Sequence, residues 1–215
     1  MTQRTVLVIN SGSSSIKYQL VDPDSGASLA SGLVERIGEE TGAITHKHGE
    51  ERTEITEPVP DHGFGLSEVL RLFEEQGPSL ADAHIVAVGH RVVQGGRYFS
   101  GPALIDDDVV ARIEQLVPLG PLHNPAHLKG IEVGRRLLSD VPHVAVFDTA
   151  FFQDLPEEAA RYALDREVAD TYSIRRYGAH GTSHQFVSGA VSELLGRDDL
   201  KPVSYTHLRA HETEA

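Results

Sequence analysis

The order of apolar and polar positions predicts strands at the start of the chain. Residues 5–9 form an apolar run rich in β-branched side chains, as in a strand buried on both faces. Residues 16–21 alternate instead, which places one face in the core. The small polar residues between the two runs predict a β-hairpin. Two further strands are expected over residues 29–37 and 43–55, the second polar enough for a sheet edge or an exposed hairpin.

Helices and strands alternate farther along the chain, which predicts an α/β domain. Apolar side chains recur every three to four positions in four stretches, which predicts helices over residues 66–73, 109–117, 124–138 and 185–195. Two short apolar runs predict buried strands at residues 85–88 and 143–147. We expect Asn124 to be an N-cap followed by Pro125 at the first helical position. Thr182 and Gln185 have the spacing of a capping box.

Charge and composition then exclude several classes of protein. The chain has 19 Lys and Arg against 32 Asp and Glu, a formal net charge of −13, which disfavours general nucleic-acid binding. An anionic substrate therefore requires a locally basic pocket. Cysteine is absent, so disulfides and thiolate metal sites are excluded. We find no signal peptide and no run of membrane-spanning length, and expect a cytoplasmic protein without a membrane partner.

Two segments carry groups that suit an anion, and each also has a purely structural interpretation. The turn at residues 12–15 offers backbone N–H groups and hydroxyls beside Lys17, which could hold phosphate oxygens or simply join two strands. Arg91 is expected where a buried strand enters a glycine-rich turn. There its guanidinium could bind a carboxylate or phosphate, or form a structural ion pair.

Three further residues lie at predicted element ends. His123 and His180 each precede a predicted helix N-terminus, where free N–H groups favour anions, although either could be a polar loop residue. Asp148 follows a buried strand, where it could belong to a site or cap a loop. The spacing of these residues does not match a zinc site, and oxygen ligands would suit magnesium better.

Taken together, five ordered segments resemble the signatures of acetate kinases: residues 8–18, 89–93, 121–125, 147–151 and 177–184. The resemblance implies the actin-like, ribonuclease H-like ATPase fold shared by acetate and sugar kinases, heat-shock chaperones and actin. It implies a first domain over residues 1–150 and the start of a second over 151–201. A superfamily chaperone or sugar kinase is disfavoured, because the Arg91, His123 and His180 segments match acetate kinases.

The resemblance also implies a reaction and a set of site residues. ATP would transfer its γ-phosphate in line to acetate, reversibly, with Mg²⁺ or Mn²⁺ as the metal, and the parent enzyme would be a homodimer. The implied metal ligand is Asn10, the phosphate-binding residues are Ser13, Ser15 and Lys17, the substrate-binding residues are Arg91, Val93 and Leu122, and the catalytic residues are His123, Asp148 and His180.

Two departures from the family pattern open alternatives. The family normally has phenylalanine at the position of Ala179, so we hypothesise a larger acid pocket and a propionate or short-chain carboxylate kinase as the alternative function. Residues 202–215 do not continue the family pattern and resemble translated sequencing-adapter sequence. We therefore expect a genuine N-terminal fragment fused to an assembly artefact, with little kinase activity of its own, and an inert folded fragment is the other alternative.

Overall fold

In the computed structural model, which describes residues 4–203, eight strands form one mixed sheet. They are β1 (Thr5–Ser11), β2 (Ser15–Val21), β3 (Ser28–Glu35), β4 (Gly42–His48), β5 (Glu51–Glu57), β6 (Ile85–Val92), β7 (Ala103–Leu104) and β8 (His143–Phe147). Their order across the sheet is β5-β4-β3-β2-β1-β6-β8-β7. β6 pairs in parallel with both β1 and β8, whereas the other pairs are antiparallel. The predicted α/β class is confirmed.

The first hairpin follows its predicted pattern. The Gly12 amide donates to the Ser15 carbonyl over 2.7 Å, which closes the turn between β1 and β2. Along β2 the side chains alternate, with Tyr18 and Leu20 buried and Lys17 exposed on the other face. Lys17 therefore projects from the sheet at the hairpin end and not into its core.

One strand prediction needs correction, the expected edge hairpin is confirmed, and one short strand was missed. The outward face of β1 is less covered than a strand buried on both faces would be, since Val8 is 39% exposed. The stretch predicted over residues 43–55 consists of two strands, β4 and β5, which form a hairpin at the edge of the sheet. The short strand β7 was not predicted, because two residues carry no periodic pattern.

Strand β6 is longer than predicted, and this changes the setting of Arg91. The strand continues through Gly89 and His90, which pair with Val8 and Ile9 of β1. Arg91 pairs with a residue of β8 and lies within the strand instead of in the following turn. The backbone of Arg91 is therefore held by the parallel ladder with β8, one residue beyond the last pair with β1.

Six helices accompany the sheet in the described residues: α1 (His62–Gln76), α2 (Asp107–Gln115), α3 (Asn124–Leu137), α4 (Glu157–Ala160), α5 (Arg166–Thr171) and α6 (Gly181–Leu195). Asp106 caps α2 by accepting from the Val109 amide over 2.8 Å. The short helices α4 and α5 were not predicted. Helix α6 begins earlier than predicted.

Two predicted helix caps are wrong. Asn124 is the first residue of α3, and its side-chain amide exchanges hydrogen bonds with the backbone of Gln94, at 3.0 and 3.2 Å. It therefore holds the loop after β6 against the helix. Thr182 lies inside the first turn of α6, where its hydroxyl donates to the Asp148 carboxylate in place of a backbone cap.

The core lies mainly between the sheet and helices α1, α2 and α3. Phe73 of α1 packs among Leu7, Leu20 and other buried residues of β1 to β4. A second cluster joins Ile113 of α2 to Phe147 of β8. Each large apolar side chain buried in this way contributes about 1.5–3 kcal/mol, so this layer holds the ends of β1, β6 and β8 firmly in place.

The segment that follows β8 is less buried. Gly181 is the buried residue of α6, while Phe186 is 75% and Leu194 83% exposed. The helix therefore presents an uncovered apolar face in the described part of the chain. No helix of the described residues is long and apolar enough to cross a membrane. Of the predicted tail, Pro202 and Val203 are described and residues 204–215 lie outside the described residues.

Candidate functional site

The carboxyl ends of two parallel strands bring Arg91 and Asp148 together. Arg91 is the penultimate residue of β6, and Asp148 directly follows β8, its parallel neighbour. The Asp148 amide donates to the Val92 carbonyl over 2.9 Å, which extends the ladder by one residue. Side chains that leave adjacent parallel strands at this edge of a sheet converge on one ligand position.

Arg91 and Asp148 form an ion pair with a defined geometry. Arg91 Nη2 lies 2.6 Å from Asp148 Oδ2, and Arg91 Nε donates to the same oxygen over 3.1 Å. The Asp148 side chain is 2% exposed, whereas that of Arg91 is 33% exposed. The buried carboxylate thus fixes the guanidinium from below and leaves one side of it open to a ligand.

The other Asp148 oxygen holds the start of α6. Thr182 Oγ1 donates to Asp148 Oδ1 over 2.9 Å. A Cβ at Gly181 would lie 1.9 Å from the Asp148 carbonyl oxygen, so only glycine permits this close approach. His180 precedes it in the left-handed region, at φ 53° and ψ 29°. Its Nδ1 lies 3.4 Å from Arg91 Nη2. The N-terminus of α6, His180 and the Arg91 guanidinium therefore lie close together.

A polar depression of about 390 Å³ collects most of the residues that the sequence indicated. It is lined by Asn10, Ser11, Gly12, Ser15, Lys17, Arg91, Val93, His123, His127, Asp148, Ala179 and His180. Two expected members lie elsewhere. Ser13 is exposed on the turn, and Leu122 is 78% exposed, so neither lines the depression formed by this chain. Their proposed roles stay predictions.

The glycine and serine turn forms one wall of the depression. Asn10 and Lys17 are cross-strand neighbours in β1 and β2, with Ser15 at the start of β2. His62 Nε2 donates to the Gly12 carbonyl over 2.7 Å and so ties the turn to the start of α1. The turn is therefore tied to α1 at this side of the depression, and its role as a phosphate-binding segment stays a prediction.

His127 is a site residue that the sequence analysis missed. It lies in the first turn of α3, one turn after His123, with the two rings nearly parallel and their centroids 6.3 Å apart. Burial, with the nearby charges of Arg91 and His123, lowers the pKa of His127 to about 4. The i, i+4 spacing from His123 was the signal that could have found it.

Comparison with known proteins identifies the relatives of this chain. The sequence profile of the Acetokinase family matches residues 5–209. The chain belongs to that family. The acetate kinase of Corynebacterium aurimucosum is 56% identical over 196 residues, which is 90% of this chain and 48% of the relative. That of Clavibacter michiganensis subsp. michiganensis is 55% identical and covers 94% and 50%. The chain thus spans about half the length of the curated relatives it matches.

Solved structures of the family share the fold described above. A propionate kinase from Francisella tularensis matches with a TM-score of 0.84 and 40% identity, over 91% of this chain and 50% of that one. The acetate kinase of Porphyromonas gingivalis matches with a TM-score of 0.84 and 41% identity over the same shares. The mixed sheet and these neighbours establish the expected actin-like ATPase fold.

Proposed function

We propose that this chain supplies the carboxylate-binding and phosphate-binding half of an acetate kinase. The reaction would move the γ-phosphate of ATP to acetate in line, giving acetyl phosphate and ADP, and would run in both directions. The single observation that carries the proposal is the Arg91 guanidinium, held by buried Asp148 at the strand ends beside His180. It provides a local positive charge in a chain whose formal net charge is −13.

This arrangement suits transfer to a carboxylate. The acid is already ionised, so its oxygen can attack phosphorus without a strong base, and catalysis reduces to positioning and charge stabilisation. Arg91 would hold the acid, while Lys17, Ser13 and Ser15 would hold phosphate oxygens of ATP. Each provides a cation or a hydrogen-bond donor that suits an anionic oxygen.

The three proposed catalytic residues would have two different roles. His123 and His180 would donate hydrogen bonds to the phosphoryl group as it passes between oxygens. Asp148 would keep Arg91 in place, because both of its oxygens are already engaged by Arg91 and Thr182. We propose this orienting role for Asp148 in preference to proton transfer.

Mg²⁺ or Mn²⁺ would accompany the nucleotide. Within residues 4–203 there is no group of three or more histidine or acidic side chains that could hold a metal by itself. Asn10 lines the depression, and its amide oxygen suits a hard cation that takes most of its ligands from phosphates and water. When bound, the metal would neutralise phosphate charge, and Asn10 is its proposed ligand.

Propionate or another short-chain acid is the second candidate substrate. Ala179 lines the depression, where its methyl group leaves more room than the phenylalanine usual in the family. One of the similar solved structures is described as a propionate kinase. Val93 would form a wall of the acid pocket, and Leu122 would join it if the rest of the enzyme covers that loop.

Several properties of the whole enzyme remain proposals. We propose a cytoplasmic homodimer that acts on acetate or acetyl phosphate with ATP or ADP and binds neither nucleic acid nor membranes. The domain division at residue 150 and the foreign origin of residues 202–215 are likewise proposed. An inert folded fragment is the alternative for this chain, and ATP binding separates the two interpretations.

The test is formation of acetyl phosphate, trapped as its hydroxamate, from ATP, Mg²⁺ and acetate or propionate. The 215-residue chain is compared with one extended by the remaining half of the Corynebacterium aurimucosum relative. We expect hydroxamate from the extended chain and little from the chain alone. A folded extended chain that binds ATP but yields no hydroxamate with either acid would refute the proposed function.

A further inference from the structure

His127 differs from the other buried histidines of the described residues. It is 3% exposed, and neither ring nitrogen meets hydrogen-bond geometry with a partner among residues 4–203, although the Ser11 backbone lies close enough to act on its pKa. By contrast, His46 contacts the Tyr18 hydroxyl at 2.7 Å and the Gly77 carbonyl at 2.9 Å. His90 and His143 hydrogen-bond to each other over 2.9 Å. Because buried polar groups are normally paired, the exception requires an explanation.

The position of the ring indicates a ligand. His127 lines the depression, and the charged or titratable groups that interact with it are Arg91, His123, Asp148 and His90. The Ser11 hydroxyl, at the end of β1, lines the same depression and is also buried and unpaired within the described part of the chain. Two unsatisfied polar side chains at one end of a polar depression are what a bound polar group would satisfy.

The orientation of Arg91 indicates that it can donate to only one oxygen of a bound carboxylate. Its Nε and Nη2 both donate to Asp148, so this edge of the guanidinium is not available to a substrate. Its Nη1 forms no hydrogen bond with the residues that the structure describes. A carboxylate bound at Nη1 would have one oxygen on the arginine, and the second oxygen would need a donor from another residue.

We propose that His127 is a further substrate-binding residue, whose imidazole N–H donates to the carboxylate oxygen that Arg91 does not hold. The inference rests on the proposed function and adds a residue to its acid site. A neutral donor suits this place, because burial and the neighbouring Arg91 charge both disfavour a protonated ring. A protonated ring there would be repelled by Arg91 and compete with it for the substrate.

The first arm of the test follows the histidine directly. Imidazole ¹⁵N and ¹H NMR shifts of the 215-residue chain are recorded during titration with acetate and, separately, with inorganic phosphate. We expect the His127 nitrogens to respond to acetate and His46, which is already paired, to stay unchanged. A response to phosphate with none to acetate would overturn the inference, because the ligand would then be a phosphate. No response to either would mean that a buried water satisfies the ring, which overturns it as well.

The second arm uses matched variants, each checked for an unchanged unfolding curve. His127→Leu removes both nitrogens and should weaken acetate binding about 10- to 100-fold, the usual effect of one hydrogen bond to a charged group. His127→Gln keeps a donor and should recover part of the affinity, which a merely structural role would not predict. Acetate binding that depends on Arg91 but is equal in wild type and His127→Leu would overturn the inference alone. No acetate binding by any variant would overturn the proposed function with it.

Discussion

The packing of α3 on β1 leads to a prediction whose sign depends on one neighbouring side chain. A Cβ placed on Gly130 would lie 2.1 Å from Ser11 Oγ and 2.8 Å from Ser11 Cβ, with no other contact within 4 Å outside its own helix and chain neighbours. Gly130→Ala should therefore cost about 1–3 kcal/mol by overpacking. It should also gain about 1 kcal/mol from the better helix propensity of alanine. The net expectation is a loss of up to about 2 kcal/mol.

Removing the neighbour should reverse the effect. In a Ser11→Gly background both atoms that oppose the new methyl group are gone, so Gly130→Ala should stabilise the protein by about 1 kcal/mol. In Ser11→Ala the Cβ at 2.8 Å remains, and the effect should be intermediate. Gly189 of α6 is a matched control, because a Cβ there meets nothing within 4 Å. Gly189→Ala should change stability equally in every Ser11 background.

The assay is urea unfolding of the four chains in each double-mutant cycle, and far-ultraviolet circular dichroism monitors the unfolding. The coupling free energy between positions 11 and 130 should be about 1–3 kcal/mol, and that between 11 and 189 should be near zero. If Gly130→Ala is equally destabilising with serine and glycine at position 11, the close approach of α3 to β1 is refuted. The wall that carries His127 would then need a different position.

Three further predictions concern the site and the buried histidines. Gly181→Ala should lower both stability and acid affinity, because its Cβ would lie 1.9 Å from the Asp148 carbonyl oxygen; unchanged unfolding and acetate titration curves would contradict this. In the extended chain, Ala179→Phe should raise the acetate to propionate ratio of kcat/KM by about 10- to 100-fold, since a methylene is worth about 1–3 kcal/mol in such a pocket. The same ratio in the variant and the unaltered chain would contradict the argument from pocket size. Burial and the neighbouring imidazole of His143 lower the pKa of His90 to about 3 from its ordinary 6.5, so the unfolded state binds more protons below pH 6.5 and stability must fall as the pH drops. From about pH 7.5 to about pH 5.5 the free energy of unfolding should decrease by roughly 1 kcal/mol from His90, as measured by urea unfolding, and a constant value would show that the ring is already charged or exposed.

Local periodicity was sufficient to predict most of the helices and strands, but not the residues at which they end. The alternation in β2 and the apolar stripe of α1 each come from a repeat within one element, so the sequence indicated both. The extent of β6 was not predictable in this way. Gly89 and His90 have no strong strand preference, and they are held in the strand because β1 and β8 pair with them on both sides.

The two misassigned caps have the same cause. Asn124 and Thr182 are residues that commonly cap helices, and their spacing suggested that role. In the folded chain each side chain has a tertiary partner that the local sequence does not contain, the Gln94 backbone for one and Asp148 for the other. A tertiary hydrogen bond thus replaced a local one in both cases, and both replacements support the site.

The candidate site was predicted as separate segments, and the fold was needed to join them. Arg91, Asp148 and His180 were each identified from the sequence with a structural alternative, and the ion pair expected as the alternative for Arg91 exists, with Asp148 as its partner. That pair and a substrate-binding role are compatible, because Asp148 engages one edge of the guanidinium and leaves the other open. The spacing of His127 from His123 could have placed it at the site, but its lack of a partner among the described residues is visible in the packed structure alone.

The central claim is that Arg91 holds a carboxylate for phosphorylation by ATP. The most direct test is ³¹P NMR of the extended chain and its Arg91→Ala variant, each incubated with ATP, Mg²⁺ and acetate. The account predicts an acetyl phosphate resonance with the unaltered residue, and in the variant its loss together with the loss of acetate binding, while ATP binding persists. Equal acetyl phosphate formation by the two chains, or inorganic phosphate as the sole product of both, would contradict it.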